Sequence, residues 1–258
     1  MINAILSTEF LKLKRYSVIK AGIIIMLMPF LYSAVTTFAL SGATTTFASF
    51  MSTFFETNFS FFMPIFITLL GGSMMNRERS DSTMKSILTV PISYRRLLIG
   101  KLVVLFLITL LVGVSCSVLS VIFGLLRGLS GMTPITVALW SGRMILEGAL
   151  LFIAVLPFTV CACLSNTTMF AAVAVSFIYG VIGRMYGSLL NYYPIKAVPI
   201  LLIPDYGIEY GCHFTAPPAI LSLAVMFLIS LVMLCRVKKD SGKQPTKKAH
   251  KQVRASGW

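Results

Sequence analysis

Long stretches without a charged residue alternate along this chain with short segments rich in Lys, Arg and Pro. A helix needs about 20 apolar residues to cross the hydrocarbon core of a bilayer. One charge-free stretch, residues 148–183, is long enough for two such helices and contains Ser165-Asn166-Thr167-Thr168 near its middle, which indicates a tight turn. The pattern predicts an all-α integral membrane protein with six transmembrane helices. They are expected at about 18–40, 58–76, 102–126, 145–164, 168–189 and 217–235.

Composition agrees with this class. The 258 residues are 57% hydrophobic and 12% charged, with a mean hydropathy of +0.89, whereas soluble domains carry about 25% charged residues. We therefore expect one transmembrane domain, residues 1–235, followed by a basic tail, 236–258. The apolar region after the basic residues 12–20 is longer than the core of a signal peptide, so it is expected to remain as an uncleaved first span.

Basic residues predict the orientation. With six spans, 18 of the 22 Lys and Arg fall on one side, which has a net charge of +14, and the other side is neutral. The positive-inside rule then places both termini in the cytoplasm of a multi-pass protein of the cell membrane. This bias accounts for the basic character of the chain without nucleic-acid binding. The tail either contacts anionic lipid headgroups or is a solvated segment.

The first 16 residues are amphipathic. Ile2, Ile5, Phe10 and Leu13 share one helical face, a pattern typical of a helix lying in the membrane interface. Glu9 falls within that apolar face. It either pairs with Lys12 or faces a cationic group on a partner subunit.

A charged hairpin, which we call the elbow, lies between the second and third predicted spans at residues 76–101. Its sequence is NRERSDSTMKSILTVPISYRRLLIGK. Met84, Ile87 and Leu88 recur at helical spacing and Pro91 ends the pattern. The elbow thus predicts a short cytoplasmic helix across the mouth of two spans. A basic turn that only enforces topology is the alternative.

On the other side, residues 41–57 show little sign of a folded domain, and the Pro-rich residues 190–216 predict short interfacial or re-entrant helices. Arg143, Glu147 and Arg184 are expected near the outer ends of their spans. Arg143 and Glu147 are one helical turn apart and could pair, and Arg184 could reach Glu147 from the next span. They either form an outer polar vestibule or snorkel separately to the interface.

Catalytic chemistry is missing from the sequence. The chain has two histidines, in an outer loop and in the tail, and no HExxH motif or Cys/His cluster that predicts a metal site. A Walker A loop is also missing, so ATP hydrolysis is not expected on this chain. We predict no catalytic residues and no cofactor here.

Two segments carry a family resemblance. STEFLKLKR at residues 7–15 resembles the start of the ABC type-two exporter permeases, and residues 76–102 resemble that family's first cytoplasmic loop. Ser82 stands where the family usually has Gly. Compact size and the EFLKLKR opening look like the permeases that protect Gram-positive bacteria from lantibiotics or bacitracin-like peptides. The positions that match the first cytoplasmic loop of the ABC type-two exporter permeases are Glu78, Thr83, Lys85, Pro91, Ser93 and Lys101.

The resemblance implies a permease subunit, not an enzyme, that is powered by a separate ABC ATPase holding ATP and Mg²⁺. It also implies a second permease, either another copy or a paralogue. A non-transporting scaffold that docks a cytoplasmic partner, or an ion channel or secondary transporter, is the alternative. The residues expected to contact the ATPase are Glu9, Lys12, Glu78, Asp81, Met84, Lys85, Ile87, Leu88 and Pro91.

Overall fold

The structure, a computed structural model, describes residues 17–39, 46–80 and 94–236, and this part of the chain is helical apart from its turns. Short 3-10 turns lie at Ser188–Tyr192 and Ile208–Tyr210. A π-helical turn, Asn58–Phe62, joins α2 to α3 in one continuous helical rod. The α-helices are α1 Ser17–Ala39, α2 Phe47–Thr57, α3 Met63–Ser80, α4 Tyr94–Arg127, α5 Pro134–Ala162, α6 Asn166–Gly183, α7 Ala197–Leu202 and α8 Ala216–Arg236.

Within the described residues, four helical segments are long and apolar enough to cross a membrane: Phe47–Arg77, Arg95–Arg127, Pro134–Ala162 and Ala216–Arg236. Shorter apolar helical segments lie at Leu27–Thr37 in α1 and Thr167–Gly183 in α6. The all-helical membrane class is thus confirmed, while the count of six spans stays a prediction. The third and fourth spans are longer than expected, since α4 begins before residue 102 and α5 before residue 145.

Part of the segment 41–57, which shows little sign of a folded domain in the sequence, is helical in the structure. Thr46 caps a helix over Phe47–Thr57. The phenylalanines of this helix, with Phe59, have almost no exposed surface and build the core near this end of the molecule. Phe30 of α1 and Phe123 of α4 pack edge-on or tilted against them, with ring centroids 4.9–6.1 Å from Phe50. Burial of large aromatic surfaces is what makes this segment helical and fixed.

Helix α5 is the centre of the bundle, because it contacts α2, α3, α4, α6, α7 and α8. Its crossing with α4 is close: a Cβ atom on Gly113 would lie 2.9 Å from the Met144 carbonyl oxygen. A Cβ atom on Gly148 would lie 2.9 Å from the Thr109 carbonyl oxygen. Glycine at both positions therefore lets the two backbones approach at a distance that side chains would prevent.

Helix ends meet in two groups. At one end, which we call the cap end after residues 184–215 described below, the Phe47 amide donates to the Ser130 carbonyl oxygen at 2.9 Å. At the other, the elbow end, Arg95 Nη2 lies 3.3 Å from Cys235 Sγ. The chain thus runs back and forth between the elbow end and the cap end.

Side chains that cap helices mark the turns. Thr133 accepts from the Thr136 amide at 3.2 Å, with Pro134 in the first turn of α5. Ser165 and Thr168 form a reciprocal capping box at the start of α6. Helices α5 and α6 are therefore joined at the elbow end by the tight turn that the polar residues predict.

Residues 184–215 form a compact cap over one end of the bundle. Helix α7 and the two 3-10 turns are its regular elements. Asn191 and Thr215 bind each other at 3.0–3.2 Å, which joins the 3-10 turn Ser188–Tyr192 to the residue before α8. The short helices expected for residues 190–216 are thus present, and we call residues 184–215 the cap.

Candidate functional site

Most residues of the expected ATPase contact lie outside the described residues. Glu9, Lys12 and the elbow positions Asp81, Met84, Lys85, Ile87, Leu88 and Pro91 belong to this group. Glu78 lies in the last turn of α3. Helix α3 ends at Ser80 and α4 begins at Tyr94, so these two helices flank the expected contact segment.

The structure does not bring together Arg143, Glu147 and Arg184, the residues of the expected outer polar pair. Glu147 lies about halfway along α5, roughly 20 Å from either end at a rise of about 1.5 Å per residue, and it has no exposed surface. The Arg143 guanidinium lies over the Trp140 ring at 4.8 Å, and that of Arg184 lies over the Phe61 ring at 5.6 Å. Both arginines are thus engaged with aromatic rings and do not reach the Glu147 carboxyl.

Asn58 is the partner that the structure gives to Glu147. Its Nδ2 donates to Glu147 Oε1 at 3.1 Å, across 89 positions of sequence. Asn58 is 2% exposed and Glu147 0%. Asn58 Oδ1 and Glu147 Oε2 are buried and have no hydrogen-bond partner in the described part of the chain. A polar pair with two unsatisfied acceptors therefore lies in the middle of the bundle.

Local backbone geometry sets the position of Asn58. It is the first residue of the π-helical turn between α2 and α3. A π turn inserts extra backbone into a helix, and such turns occur often at functional sites. The turn lies where the rod passes α6, and the Ser60 carbonyl oxygen is in close contact with the Cα side of Gly180.

A second buried charged residue lies in the cap. Lys196 has no exposed surface, and its Nζ donates to the Met185 carbonyl oxygen at 2.6 Å. The Tyr186 ring centroid is 4.0 Å from Nζ, that of Tyr206 5.2 Å and that of Phe214 5.5 Å. These distances are typical of cation–π contacts, and we call the five residues the Lys196 cage.

Burial changes the acidity of the cage groups. It lowers the pKa of Lys196 from 10.5 to about 8, against the opposing attraction of the Glu56 carboxylate. Burial also raises the pKa of Tyr186 to about 12, and it raises the pKa of the neighbouring Tyr206. The lysine is thus the group of the cage that titrates closest to neutral pH.

Charges from three parts of the chain meet near this cage. Glu56 of α2 is within electrostatic reach of Arg184, Lys196 and Glu209. Arg184, the C-cap residue of α6, therefore belongs to this cap-end group rather than to a pair with Glu147. The structure thus brings Arg184 near Glu56, a carboxylate that the expected outer polar group did not include.

The elbow end has its own polar ties. Lys101, 3% exposed, donates from Nζ to the Met74 carbonyl oxygen at 3.0 Å. Asn76 Nδ2 donates to the carbonyl oxygens of Ala162 and Ser165 at 3.3 and 3.4 Å. These contacts tie α3, α4 and the turn between α5 and α6 together beside the elbow.

Within the described ranges, no three His, Cys, Asp or Glu side chains lie close enough together to hold a metal ion.

The sequence pattern did not indicate Asn58 or the buried position of Lys196. An amide near the start of the charge-free stretch 57–76 was the available signal for Asn58, because a buried polar side chain in a membrane helix needs a partner.

Comparison with known proteins agrees with this architecture. The family model described as ABC-2 family transporter protein matches residues 5–183. The chain belongs to the ABC-2 transporter family. The chain is also 29% identical to the Bacitracin transport permease protein BCRB of Bacillus licheniformis over 186 residues, which is 68% of this chain and 88% of that protein.

Family membership sets the class of function. The protein is the membrane subunit of an ABC transporter, and subunits of this kind work with an ABC ATPase. This confirms the resemblance seen in the residues 7–15 and 76–102. It speaks against the channel and scaffold alternatives.

Proposed function

We propose that this chain is the permease of an ATP-driven exporter that moves an antimicrobial peptide, a lantibiotic or a drug out of the cell membrane. The observation that carries the proposal is the similarity to a bacitracin transport permease over most of that protein's length. A membrane-active peptide is a substrate that a subunit built almost wholly from apolar helices could take directly from the bilayer. ATP and Mg²⁺ would bind on the separate ATPase.

The ATPase is proposed to dock on the elbow and on the amino-terminal segment. Ile87 and Leu88 would supply apolar contacts, and Glu78, Asp81 and Lys85 charged ones. Glu9 and Lys12 would extend the contact from the amino-terminal side. ABC permeases work by rocking helices between two openings, so force applied at the elbow must reach the bundle.

Polar ties at the elbow end support this path. The Lys101 bond to Met74 links the two helices that flank the elbow. The Asn76 bonds link the same region to the turn between α5 and α6. Movement of the elbow would therefore displace α3, α4, α5 and α6 together, and α5 is the helix that contacts most of the others.

Affinity purification combined with a resistance assay tests the proposal. The tagged chain is purified from its native membrane, and its cells are challenged with bacitracin and with a lantibiotic. We expect an ATPase with a Walker A loop to co-purify, and Ile87→Asp to lose both that ATPase and the protection of the cells. Recovery of a second permease would distinguish a heteromer from a homodimer.

The matched control is Ile208→Asp, the same substitution at a half-exposed position of the cap. It should retain the ATPase. Full protection of cells by Ile87→Asp would show that the elbow does not couple. Isolation of the wild-type chain without any ATPase under gentle detergent would contradict the exporter proposal itself.

A further inference from the structure

The Asn58–Glu147 pair has an unusual hydrogen-bond inventory. A side-chain amide offers an acceptor, Oδ1, and a donor group, Nδ2, whereas an ionised carboxylate offers acceptors only. The observed bond from Nδ2 to Oε1 uses the donor of Asn58 and one of the two acceptor oxygens of Glu147. The two atoms left over, Asn58 Oδ1 and Glu147 Oε2, are both acceptors, and both are buried without a partner.

Two buried acceptors cannot bind each other without a proton. A protonated carboxyl has one O–H donor, so a proton on Oε2 would let Glu147 donate to Asn58 Oδ1. One proton would then satisfy both leftover atoms and complete a two-bond ring between acid and amide. Buried polar atoms are nearly always paired in folded proteins.

The absence of a cationic side chain of the described residues beside Glu147 also favours a protonated carboxyl. Its neighbours are the Asn58 amide and, on α4, the Cys116 thiol, which is within electrostatic reach of the carboxyl. Cys116 is 4% exposed, and no cationic side chain of the described residues contacts Glu147. An isolated carboxylate in a low-dielectric interior is strongly disfavoured unless it is paired or neutralised.

The ionisable groups named next, on α5 and the elements packed against it, have contacts other than Glu147 in the structure. Arg143, on α5 itself, lies over Trp140, and Arg184 lies over Phe61. Glu56 of α2 faces the charges of the cap end. At the elbow end, Lys101 of α4 binds the Met74 carbonyl oxygen and Arg95 of α4 binds Cys235. Tyr179 of α6 packs on Phe158 and Tyr193. Lys196, just before α7, lies in its aromatic cage.

We propose that the Asn58–Glu147 pair is a proton-binding site, in which Glu147 Oε2 holds a proton and donates a hydrogen bond to Asn58 Oδ1 in this conformation. The proton comes from water and returns to water when α5 and the rod of α2 and α3 separate. Closing this contact takes up one proton per chain. The alternative occupant of this site is a metal cation bound by the same oxygens. The proposal does not depend on which substrate the transporter carries.

Infrared spectroscopy of the purified chain tests the proton directly, because a protonated carboxyl has a C=O stretch at higher frequency than a carboxylate. The chain has eight Asp and Glu in total, which keeps the spectrum simple. Around neutral pH we expect a protonated-carboxyl band that persists in Glu209→Gln, disappears in Glu147→Gln and shifts upward in Asn58→Leu. A wild-type spectrum without a band from Glu147, or a band unmoved by Asn58→Leu, would overturn the proposal.

Thermal unfolding of Glu147→Gln is the second measurement, and it decides the case if Asn58→Leu does not fold. A glutamine amide can donate to Asn58 Oδ1 and accept from Nδ2, so it reproduces the ring without a proton. We expect the wild-type unfolding temperature in this variant, with no change when choline replaces Na⁺. A clear loss of stability in Glu147→Gln, or Na⁺-dependent stability of the wild type, would overturn the proton site.

Discussion

Glu147 and Lys196 are both ionisable residues without exposed surface, one in the middle of the bundle and one in the cap. Lys196 contacts a carbonyl oxygen and three aromatic rings, all of which favour a cation. Glu147 contacts one amide donor and retains an unsatisfied oxygen. The cap is therefore built to hold a charge, whereas the middle of the bundle is built around a polar group without a countercharge.

The difference follows from the surroundings. Residues of the cap can supply backbone carbonyls and tyrosine faces because the segment is irregular. In the middle of the bundle the backbone groups are used within helices, so only side chains can satisfy Glu147. A side chain must therefore come from another helix, and Asn58 does so from a position where the helix has a π turn.

The largest expected effect on stability is that of placing a cation in the middle of the bundle. Glu147→Lys should lose about 3–5 kcal/mol of unfolding free energy, because it places an unpaired cation among apolar residues. The folded yield in fluorescence-detected size-exclusion chromatography measures this loss. Glu209→Lys, an exposed change in the cap, is the control and should leave the yield unchanged.

Arg184→Glu added to Glu147→Lys provides a check on the pairing. Arg184 lies near Glu56 and over Phe61, so the second change should not restore the yield. A restored yield would mean that Arg184 and Glu147 do pair in the membrane.

A smaller loss is expected from Asn58→Leu. Removing the amide leaves the Glu147 carboxyl without a donor, which costs about 1–3 kcal/mol. Thermal unfolding in detergent measures it. Replacing both partners should be less harmful than replacing one, so Asn58→Leu with Glu147→Leu should unfold at a higher temperature than Asn58→Leu alone. Equal stability of the wild type and Asn58→Leu would contradict the assigned pair.

Lys196→Met should cost less than either change in the bundle. It removes the bond to Met185 and a cation–π contact of about 0.5–2 kcal/mol, but it also removes the cost of burying an ammonium group. Hydrogen exchange over residues 188–215 should increase modestly, while exchange in α5 stays unchanged. An equal increase in both regions would show that the cage supports the whole bundle.

The smallest expected effect is the change of the unfolding temperature with pH. The pKa of Lys196 is about 8 in the folded chain and 10.5 when unperturbed, so the folded state binds fewer protons between these values and its stability rises with pH. Tyr186 and Tyr193 have pKa values raised from 10.0 to about 12, so they reduce stability above about pH 10. The unfolding temperature should thus rise between about pH 8 and 10.

Lys196→Met is the control for this pH effect. The variant lacks the ammonium group, so the rise should disappear while the decrease caused by the tyrosines remains. A rise of the same size in Lys196→Met would assign the pH dependence to another group.

Local patterns in the sequence were sufficient for the class and the family. The length of an apolar stretch reports directly whether a helix can cross a bilayer, and the turn at Ser165 followed from four adjacent polar residues. Segments 7–15 and 76–102 carried the resemblance that the match to the ABC-2 family confirms. Each of these signals is contained within a short stretch of chain.

Only the tertiary structure decided which polar groups meet. Residues 47–57 belong to a segment whose mixture of Ser, Thr and Phe gives little sign of a folded domain, yet they form a helix in which Phe50 and Phe54 are buried. The Arg143, Glu147 and Arg184 cluster was predicted from spacing, but Asn58, 89 positions away, is the residue that contacts Glu147. Spacing gives the face of one helix, whereas a buried polar group takes its partner from whichever helix packing brings within hydrogen-bond distance.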